Sequence, residues 1–284
     1  MKKLNILVVM YNCSIKDSRT VNSFKKYIPD VLYNYNVNLK ITLFNNGPCY
    51  IDELEVPDYC EVVQIPKNKS LSSIYNKFID SDNADFYAFF DHDSSISRHY
   101  LDLLFNNVSN SKFPDVMVPI LSDSSGKVWS PKVNGIYVDE PVEVSNNSLM
   151  AVGSGLCVSS ELIKKFRIKF GEVFDSRFFL YGVDTSFFLR LNKISDISAI
   201  ILPGFSHSFS LREPSDSLSS FRRIERGSEI GLMCRFYENP VAGAVRLLRV
   251  GCSCLFRHLT GSSLVVDFYH VLKAYHSGKH YRDK

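Results

Sequence analysis

One short stretch, residues 85–94, constrains the fold of this chain more than any other. Five consecutive apolar residues, four of them aromatic, end abruptly in two carboxylates, Asp91 and Asp93. Uninterrupted apolar runs of this length are typical of strands buried on both faces of a mainly parallel sheet. Ligands of open α/β sheets bind beyond the carboxyl ends of such strands. The stretch therefore predicts a central strand with a polar site at its end.

The carboxylate pair leaves two interpretations open. If strand geometry persists to the last residue, Asp91 and Asp93 point to one side and His92 to the other. Two adjacent carboxylates repel each other, and a hard divalent cation bound by oxygen ligands relieves that repulsion. Most Asp-x-Asp triplets, however, are solvated acidic turns. The triplet alone fits either a cation site or such a turn.

The composition is that of an ordinary globular protein, with 45% hydrophobic and 22% charged residues in a chain of 284. Seven cysteines without a Cys-x-x-Cys pair favour reduced thiols, and hence a cytoplasmic protein, over a disulfide framework. The first apolar run, Leu4–Met10, is too short for a signal peptide and contains Asn5, so it predicts a strand. No apolar run is long enough for a transmembrane helix.

Strand-like and helix-like patterns alternate along much of the chain. This alternation is typical of βαβ units and predicts an α/β fold with a mainly parallel sheet. The predicted strands lie at 4–10, 37–44, 61–65, 85–91, 115–121, 151–158 and 199–203. The first predicted helix begins after Asp17 or Ser18 and ends near Tyr27, because Pro29 limits its extension. Three further helices are predicted at 70–79, at 161–166 and around Phe187. Residues 122–150, rich in Ser, Asn, Gly and Pro, predict a long mobile loop.

Polar side chains follow several of these predicted strands. They are Asn12, Asn46, Asn68, Asp91, Asp93, Asp184 and His207. Each alone is commonly a turn residue, a helix cap or a satisfied polar side chain. Their order along the chain is the more specific observation.

That order resembles glycosyltransferase family 2, over roughly residues 4–210. Tyr11-Asn12, Asn46, and Asn68 with Asn76 are similar to the family's turns on the nucleotide side. Asp91-His92-Asp93 resembles its Asp-x-Asp motif, and Gly153-Ser154-Gly155 resembles a strand on the acceptor side. The segment 174–184 (FDSRFFLYGVD) is the most specific match.

The sequence departs from the family pattern at four positions of these motifs. Asn45 and Ser176 replace acidic residues, and Ser70 replaces a glycine. Val183 replaces the acidic residue that usually precedes the final Asp, as it often does in the bacterial rhamnosyltransferase-like branch. The last Asp of the segment, Asp184, is retained.

The resemblance implies an inverting enzyme with the GT-A fold and assigns a role to each motif. Asp93 and Asp91 would bind Mg²⁺ or Mn²⁺, His207 would complete the metal site, and Asp184 would be the catalytic base. The nucleotide-sugar side would comprise Tyr11, Asn12, Asn46, Asn68, Asn76 and Asp91. The acceptor side would comprise Ser154, Gly155 and Asp175.

Two domains are expected: a catalytic domain over 1–215, with a nucleotide-sugar half at about 1–110 and an acceptor half at 111–215, and a basic helical extension over 216–284. From Phe221 to Lys284 there are 11 Lys and Arg against 5 Asp and Glu, whereas residues 1–220 hold 22 against 25. The extension contains a helical apolar stripe: Val241, Val245, Leu248, Cys252, Leu255 and Leu259. Arg246, Arg249 and Arg257 flank it, and a second pattern follows at Leu264, Phe268, Leu272 and Tyr275.

Three roles are open for these two helices: packing on the catalytic domain, forming a homo-oligomer, or lying on an anionic membrane surface. A nucleic-acid partner is not expected, because the basic residues are interleaved with apolar ones and no nucleic-acid-binding motif occurs.

The sequence thus predicts a metal-dependent glycosyltransferase that uses a nucleotide-diphosphate sugar, either dTDP-rhamnose or a UDP-hexose. Its acceptor would be a hydroxyl of a lipid-linked oligosaccharide or polysaccharide in bacterial surface glycan synthesis, such as O-antigen or capsule. The enzyme would act at the inner face of the cytoplasmic membrane. The alternatives are a catalytically silent relative with a scaffold role and a nucleotidyltransferase-like enzyme.

Overall fold

A computed structural model of the protein describes residues 1–110, 113–145, 148–208 and 219–283. Its strands form a central nine-stranded sheet and a separate three-stranded sheet. The strands are β1 Lys2–Met10, β2 Val37–Asn45, β3 Cys60–Gln64, β4 Phe86–Asp91, β5 Val116–Ser122, β6 Val128–Ser130, β7 Lys132–Val133, β8 Ile136–Tyr137, β9 Val142–Ser145, β10 Leu149–Met150, β11 Leu156–Ser159 and β12 Ser198–Ser206. The helices are α1 Arg19–Asn34, α2 Leu71–Ser81, α3 Arg98–Ser109, α4 Ser160–Phe170, α5 Val183–Leu191, α6 Ser220–Phe236, α7 Pro240–Leu259 and α8 Phe268–Ser277.

The central sheet is mainly parallel at one end and mixed at the other. Its order is β3-β2-β1-β4-β11-β5-β12-β9, with β6 paired to β5. The neighbours from β3 to β4 are all parallel, and β12 is parallel to β5. Strand β11 is antiparallel to both β4 and β5. The predicted α/β class with a mainly parallel sheet is confirmed.

Strand β4 lies in the middle of this sheet, and its composition explains why. All five residues of the run 86–90 are buried, so both faces of the strand are covered. Phe90 packs edge-to-face on Phe24 of α1 and on Tyr100 of α3, with ring centroids 5.3 and 6.2 Å away. The strand ends at Asp91, where the chain turns away from the sheet.

Helix α1 corrects the prediction that Pro29 limits its extension, because it continues to Asn34 with Pro29 inside it. A proline in a helix interior costs about 3 kcal/mol. Ile28 and Val31, both fully buried on either side of it, offset that cost by packing into the core. The predicted N-cap, Ser18, is present and accepts a hydrogen bond from the Val21 N–H.

Residues 122–150 differ from the expected loop. The structure places five short strands there, β6 to β10; β9 extends the central sheet, and β7, β8 and β10 form the three-stranded sheet. Residues 146–147 lie outside the described residues. Runs of two to four residues are too short to show a strand period in sequence, which is why the composition suggested a loop.

The chain forms two compact units. The first comprises Met1–Lys69, Tyr75–Val173 and Arg190–Phe209, and contains the sheets. The second comprises Ser70–Ile74, Phe174–Leu189 and residues 210–284, and contains α6 to α8. The predicted domain boundary at 215/216 falls in 209–218, outside the described residues. Within the described residues, no helix is both long and apolar enough to cross a membrane.

Candidate active site

Three predicted metal ligands, Asp91, Asp93 and His207, come together at the end of β4 in the first unit. The possible ligand atoms of the three side chains all lie within 4.8 Å of one another. His207 Nδ1 is 3.4 Å from Asp93 Oδ1, and His207 Nε2 is 3.9 Å from Asp91 Oδ2. Asp91 is the last residue of β4, and His207 directly follows β12. The ends of these two strands therefore supply the cluster.

The donor set fits a hard divalent cation. Oδ1 of Asp93 is buried, and among the described residues it accepts no hydrogen bond. A buried carboxylate oxygen left in this state is costly unless a cation or a solvent molecule approaches it. Two carboxylates and an imidazole are suitable ligands for Mn²⁺, and the carboxylates alone for Mg²⁺.

The buried hydroxyl groups of Ser94 and Ser154 are hydrogen-bonded to each other and to residues of the Asp91–Asp93–His207 cluster. Ser94 Oγ lies 2.9 Å from His207 Nδ1 and 2.8 Å from Ser154 Oγ, and both serines are buried. Ser154 Oγ in turn accepts a hydrogen bond of 3.2 Å from the Asp91 N–H. This chain of contacts fixes the imidazole ring and the turn after β4 relative to each other. Such partners behind a ligand tune metal affinity.

The beginning of α1 holds the same turn through its carbonyls. Thr20 Oγ1 donates to Asp91 O at 2.5 Å, and Ser18 Oγ donates to His92 O at 3.0 Å. The Thr20 N–H also donates to His92 O, at 3.2 Å. These hydrogen bonds could not be found from the sequence, which identified Ser18 only as a helix cap and did not single out Thr20. The bonded residues are 71–74 positions apart, and no sequence motif links residues at that separation.

Position 155, directly after Ser154, requires a glycine. Its backbone has φ +82°, and a Cβ there would lie 2.6 Å from the Pro119 side chain and 2.9 Å from that of Phe205. The Gly155 N–H donates to Phe89 O, and its carbonyl accepts from Tyr100 OH, both at 2.7 Å. The structure thus places Ser154 and Gly155 beside β4, where both form hydrogen bonds to that strand. Their predicted contact with the acceptor stays a prediction.

The predicted nucleotide-side turns are joined by backbone hydrogen bonds in the first unit. The Asn12 N–H donates to Gly47 O at 2.7 Å, and the Asn68 N–H donates to Asn46 O at 2.9 Å. Asn12 and Asn68 have φ of 49° and 43°, a region that Asn tolerates well. The Asn46 side chain is buried and bonds both the N–H and the carbonyl of Lys69.

Tyr11 and Asn76 complete the predicted nucleotide-side set. Tyr11 is exposed, directly after β1, whereas Asn76 is half-buried within α2. Two residues after Tyr11, burial raises the pKa of the Cys13 thiol, and the charges of Asp17 and Asp93 raise it further.

The predicted base, Asp184, belongs to the second unit and lies in the first turn of α5. Its Oδ1 accepts a hydrogen bond of 2.7 Å from the Thr185 N–H, which orients the half-buried carboxylate. Val183 before it is buried, so an apolar residue fits where the family pattern has an acid. Gly182 has φ +84°, and a Cβ there would lie 2.5 Å from the Phe178 ring.

Asp175, predicted on the acceptor side, is fully buried in the second unit. Its carboxylate accepts two hydrogen bonds from the Arg177 guanidinium, at 2.8 and 2.6 Å, and one of 2.6 Å from Tyr237 OH. These contacts fix the segment that carries Asp184 to the end of α6. The arrangement favours a positioning role, and direct contact with an acceptor stays a prediction.

Glu229 of α6 is a titratable neighbour of Asp184 that sequence reasoning missed. Burial, reinforced by the charges of Asp184 and Glu238, raises its pKa from 4.5 to about 7, against the opposing effects of Arg246 and Arg226. A Cβ on Gly182 would lie only 3.0 Å from the Glu229 Cγ, so the absence of a side chain at Gly182 gives Glu229 its place. Nothing in the sequence around position 229 signals this pairing.

No protein-family model matches the chain, and no curated protein matches its sequence. Among solved structures, the chain is similar to residues 1–349 of S. aureus TarS, with 13% identity and a TM-score of 0.54, covering 99% of this chain and 93% of that one. A second S. aureus TarS structure has 12% identity and a TM-score of 0.47, covering 86% of this chain and 42% of that one. The first similarity confirms a GT-A-like fold.

Proposed function

We propose that this protein is a metal-dependent, inverting glycosyltransferase that uses a nucleotide-diphosphate sugar. The observation that carries the proposal is the cluster of Asp91, Asp93 and His207 at the end of β4 in a GT-A-like fold. In α/β sheets, this is the edge at which ligands bind. The motif order from Tyr11 to Asp184 adds a nucleotide side and a base to that cluster.

The chemistry follows from the charges that glycosyl transfer develops. A Mg²⁺ or Mn²⁺ held by Asp91, Asp93 and His207 would neutralise the charge that appears on the departing nucleoside diphosphate. The bond between the sugar C1 and the diphosphate oxygen breaks as an acceptor oxygen bonds to C1 from the opposite face. Asp184 takes the proton of that hydroxyl. One displacement with a single base gives inversion.

The donor is proposed to be dTDP-rhamnose or a UDP-hexose, and the acceptor a lipid-linked oligosaccharide or polysaccharide of a bacterial surface glycan. Support for the rhamnosyltransferase-like branch rests on one residue, Val183, whose buried position suits an apolar side chain. An acceptor on a lipid carrier would place the enzyme at the inner face of the cytoplasmic membrane.

The test is a panel of nucleotide sugars, with donor binding measured as thermal stabilisation in Mn²⁺ and in EDTA. We expect one donor to stabilise the protein only with metal, and Asp93→Asn to lose that stabilisation. Asp184→Asn should bind donor with metal as the unchanged protein does, yet hydrolyse it about 10²–10⁴-fold more slowly, because general-base assistance is worth that factor.

Asp30→Asn is the matched control, since it changes an exposed carboxylate on α1 in the same way and should leave both readouts unchanged. Equal donor affinity in Mn²⁺ and EDTA would contradict the metal centre. Undiminished hydrolysis by Asp184→Asn would reassign the base. Metal-dependent binding without hydrolysis or transfer by the unchanged protein would identify a catalytically silent relative.

A further inference from the structure

Helix α7 of the second unit is apolar on two opposite sides. Of its 20 residues, only Gly243 is buried. Its inner side packs through Leu247, Val250 and Cys254 against a small core of four residues: Ile230, Cys234, Val266 and Val271. This inner side is offset from the stripe that sequence periodicity identified, so packing within the unit leaves that stripe uncovered.

The uncovered stripe forms a continuous outer face. Its residues are Val241, Val245, Leu248, Cys252, Leu255 and Leu259, and all six are exposed. Leu248, Leu255 and Leu259 are 69%, 59% and 75% exposed, and the neighbouring Phe256 is 67% exposed. A contiguous apolar face of this kind on a folded protein marks a contact with another apolar surface.

The charges around this outer face are all of one sign. Helix α7 contains no Asp or Glu. At 100° per residue, Arg249 lies on one side of the stripe and His258 on the other, and both are exposed. Arg246 pairs with Glu238, and Arg257 donates to Ser263 O, so these two point toward the unit itself.

We propose that the outer face of α7 lies on the surface of an anionic lipid bilayer. The leucines and Phe256 would enter the boundary between headgroups and acyl chains, and Arg249 would meet the lipid phosphates. The described residues of α6 to α8 and their connections, 219–283, hold 10 Lys and Arg against 5 Asp and Glu, which reinforces this attraction. The proposal concerns membrane binding and stands apart from the glycosyltransfer reaction.

A second copy of the chain is the competing occupant, because the spacing 4, 3, 4, 3, 4 along the stripe is that of a coiled-coil seam. In such a seam the flanking positions normally carry pairs of opposite charge. Here they carry Arg249 and His258 with no acidic residue on the helix to pair with them. Self-association would leave Arg249 without an acidic partner on the helix, whereas anionic lipid neutralises its charge, so the charge pattern favours the membrane.

The test is sedimentation of the purified full-length chain with vesicles of phosphatidylcholine alone and of phosphatidylcholine with phosphatidylglycerol. We expect pelleting with the anionic vesicles and much less with the neutral ones, weakening at high salt. The double variant Leu248→Glu/Leu255→Glu should bind anionic vesicles about tenfold more weakly or worse, because each side chain loses apolar burial and adds a negative charge.

Leu54→Glu is the matched control, since Leu54 is 95% exposed in the first unit and should be indifferent to lipid. Thermal melting establishes that the double variant folds, and light scattering without lipid gives the oligomeric state of each protein. The proposal is overturned if the unchanged protein does not pellet, if the double variant pellets equally, or if the substitutions dissociate a lipid-free oligomer, which would assign the face to a second copy.

Discussion

The pair formed by Glu229 and Asp184 places two acids of the second unit in each other's electrostatic field. Burial, followed by the charge of Asp184, keeps Glu229 protonated up to about pH 7. A neutral Glu229 avoids placing a second negative charge beside the proposed base. Its ordinary pKa of 4.5 would apply in the unfolded chain.

Substitution Glu229→Gln should make stability less sensitive to pH. Because the folded pKa is raised, the contribution of Glu229 is fully present below pH 4.5 and is lost as pH rises through 7. The glutamine side chain does not ionise, so the variant does not lose this stability as the pH rises. Its free energy of unfolding at pH 8 should therefore exceed that of the unchanged protein by about 1–3 kcal/mol. Denaturant unfolding at pH 5 and pH 8 measures this.

Glu140→Gln, at an exposed position, serves as the reference substitution and should follow the unchanged protein at both pH values. A Glu229→Gln curve that also parallels the unchanged protein would show that Glu229 is ionised in the folded state.

Residues of the candidate site differ in how far sequence could identify them. Asp91, Asp93 and His207 stand where predicted strands end, so their convergence could be anticipated from the topology. The supporting contacts of Ser94 and Thr20 could not, because ordinary residues acquire them only through packing across 71–113 positions of sequence. Candidate metal ligands can be recognised in the sequence by their residue type, whereas the residues that hold them by hydrogen bonds can be recognised only in the fold.

At the scale of elements, hydrogen bonds from the beginning of α1 hold the turn after β4, which carries two of the proposed metal ligands. Thr20 is fully buried and bonds the carbonyls of Asp91 and Ser94 as well as the Ser94 N–H. Replacing its hydroxyl by a methyl group removes these three hydrogen bonds to the turn.

Thr20→Val should therefore weaken metal binding at Asp91 and Asp93 by about 10–100-fold, the usual effect of losing a partner behind a metal ligand. Calorimetric titration with Mn²⁺ measures the affinity directly. Thr260→Val makes the same change at an exposed position whose hydroxyl bonds carbonyls of its own helix and Ser262 Oγ, and should leave the affinity unaltered. An unchanged affinity in Thr20→Val would show that the turn holds its shape without α1.

Element prediction succeeded where a period or a cap was strong and failed where tertiary packing decided. The apolar runs of β1 and β4 and the Ser18 cap were identified from sequence. The extension of α1 past Pro29 depends on buried neighbours, and β9 depends on pairing with β12. Helix α3 was not predicted, and α6 was covered only by the general expectation of a helical extension over 216–284. The weakest periodicity among the longer helices belongs to α6, which is enclosed by packing with α7 and α8.

At the scale of the whole molecule, the second unit depends on residues near 280 for a charge balance. Glu225 of α6 is fully buried and is contacted by Tyr281 OH at 2.9 Å, Arg282 Nη1 at 3.2 Å and His280 Nε2 at 3.4 Å. The His280 ring also stacks on Phe179, with 4.3 Å between ring centroids.

A chain that ends at Ser277 should lose about 3–5 kcal/mol of stability in the second unit, because Glu225 is then a buried charge without Arg282 and Tyr281. The expected result is a lower melting temperature, measured by calorimetry. The double change that ends the chain at Ser277 and replaces Glu225 by Gln should recover part of the loss, since it removes the buried charge. No recovery would indicate that the stack on Phe179, rather than the charge, is what the last residues supply.

The assembly of the second unit from distant segments also sets the order in which a newly synthesised chain can fold. Ser70 Oγ donates to Phe178 O, 108 positions later, and the stack on Phe179 waits for His280. Strands β1 to β4 can pair early, because they follow one another closely in the chain. A ribosome that stalls before residue 280 would hold a protein whose sheet has begun to form but whose Asp184 segment still exposes aromatic side chains. Such an intermediate is the kind of species that chaperones retain, so nascent chains of this protein should depend on them late in synthesis.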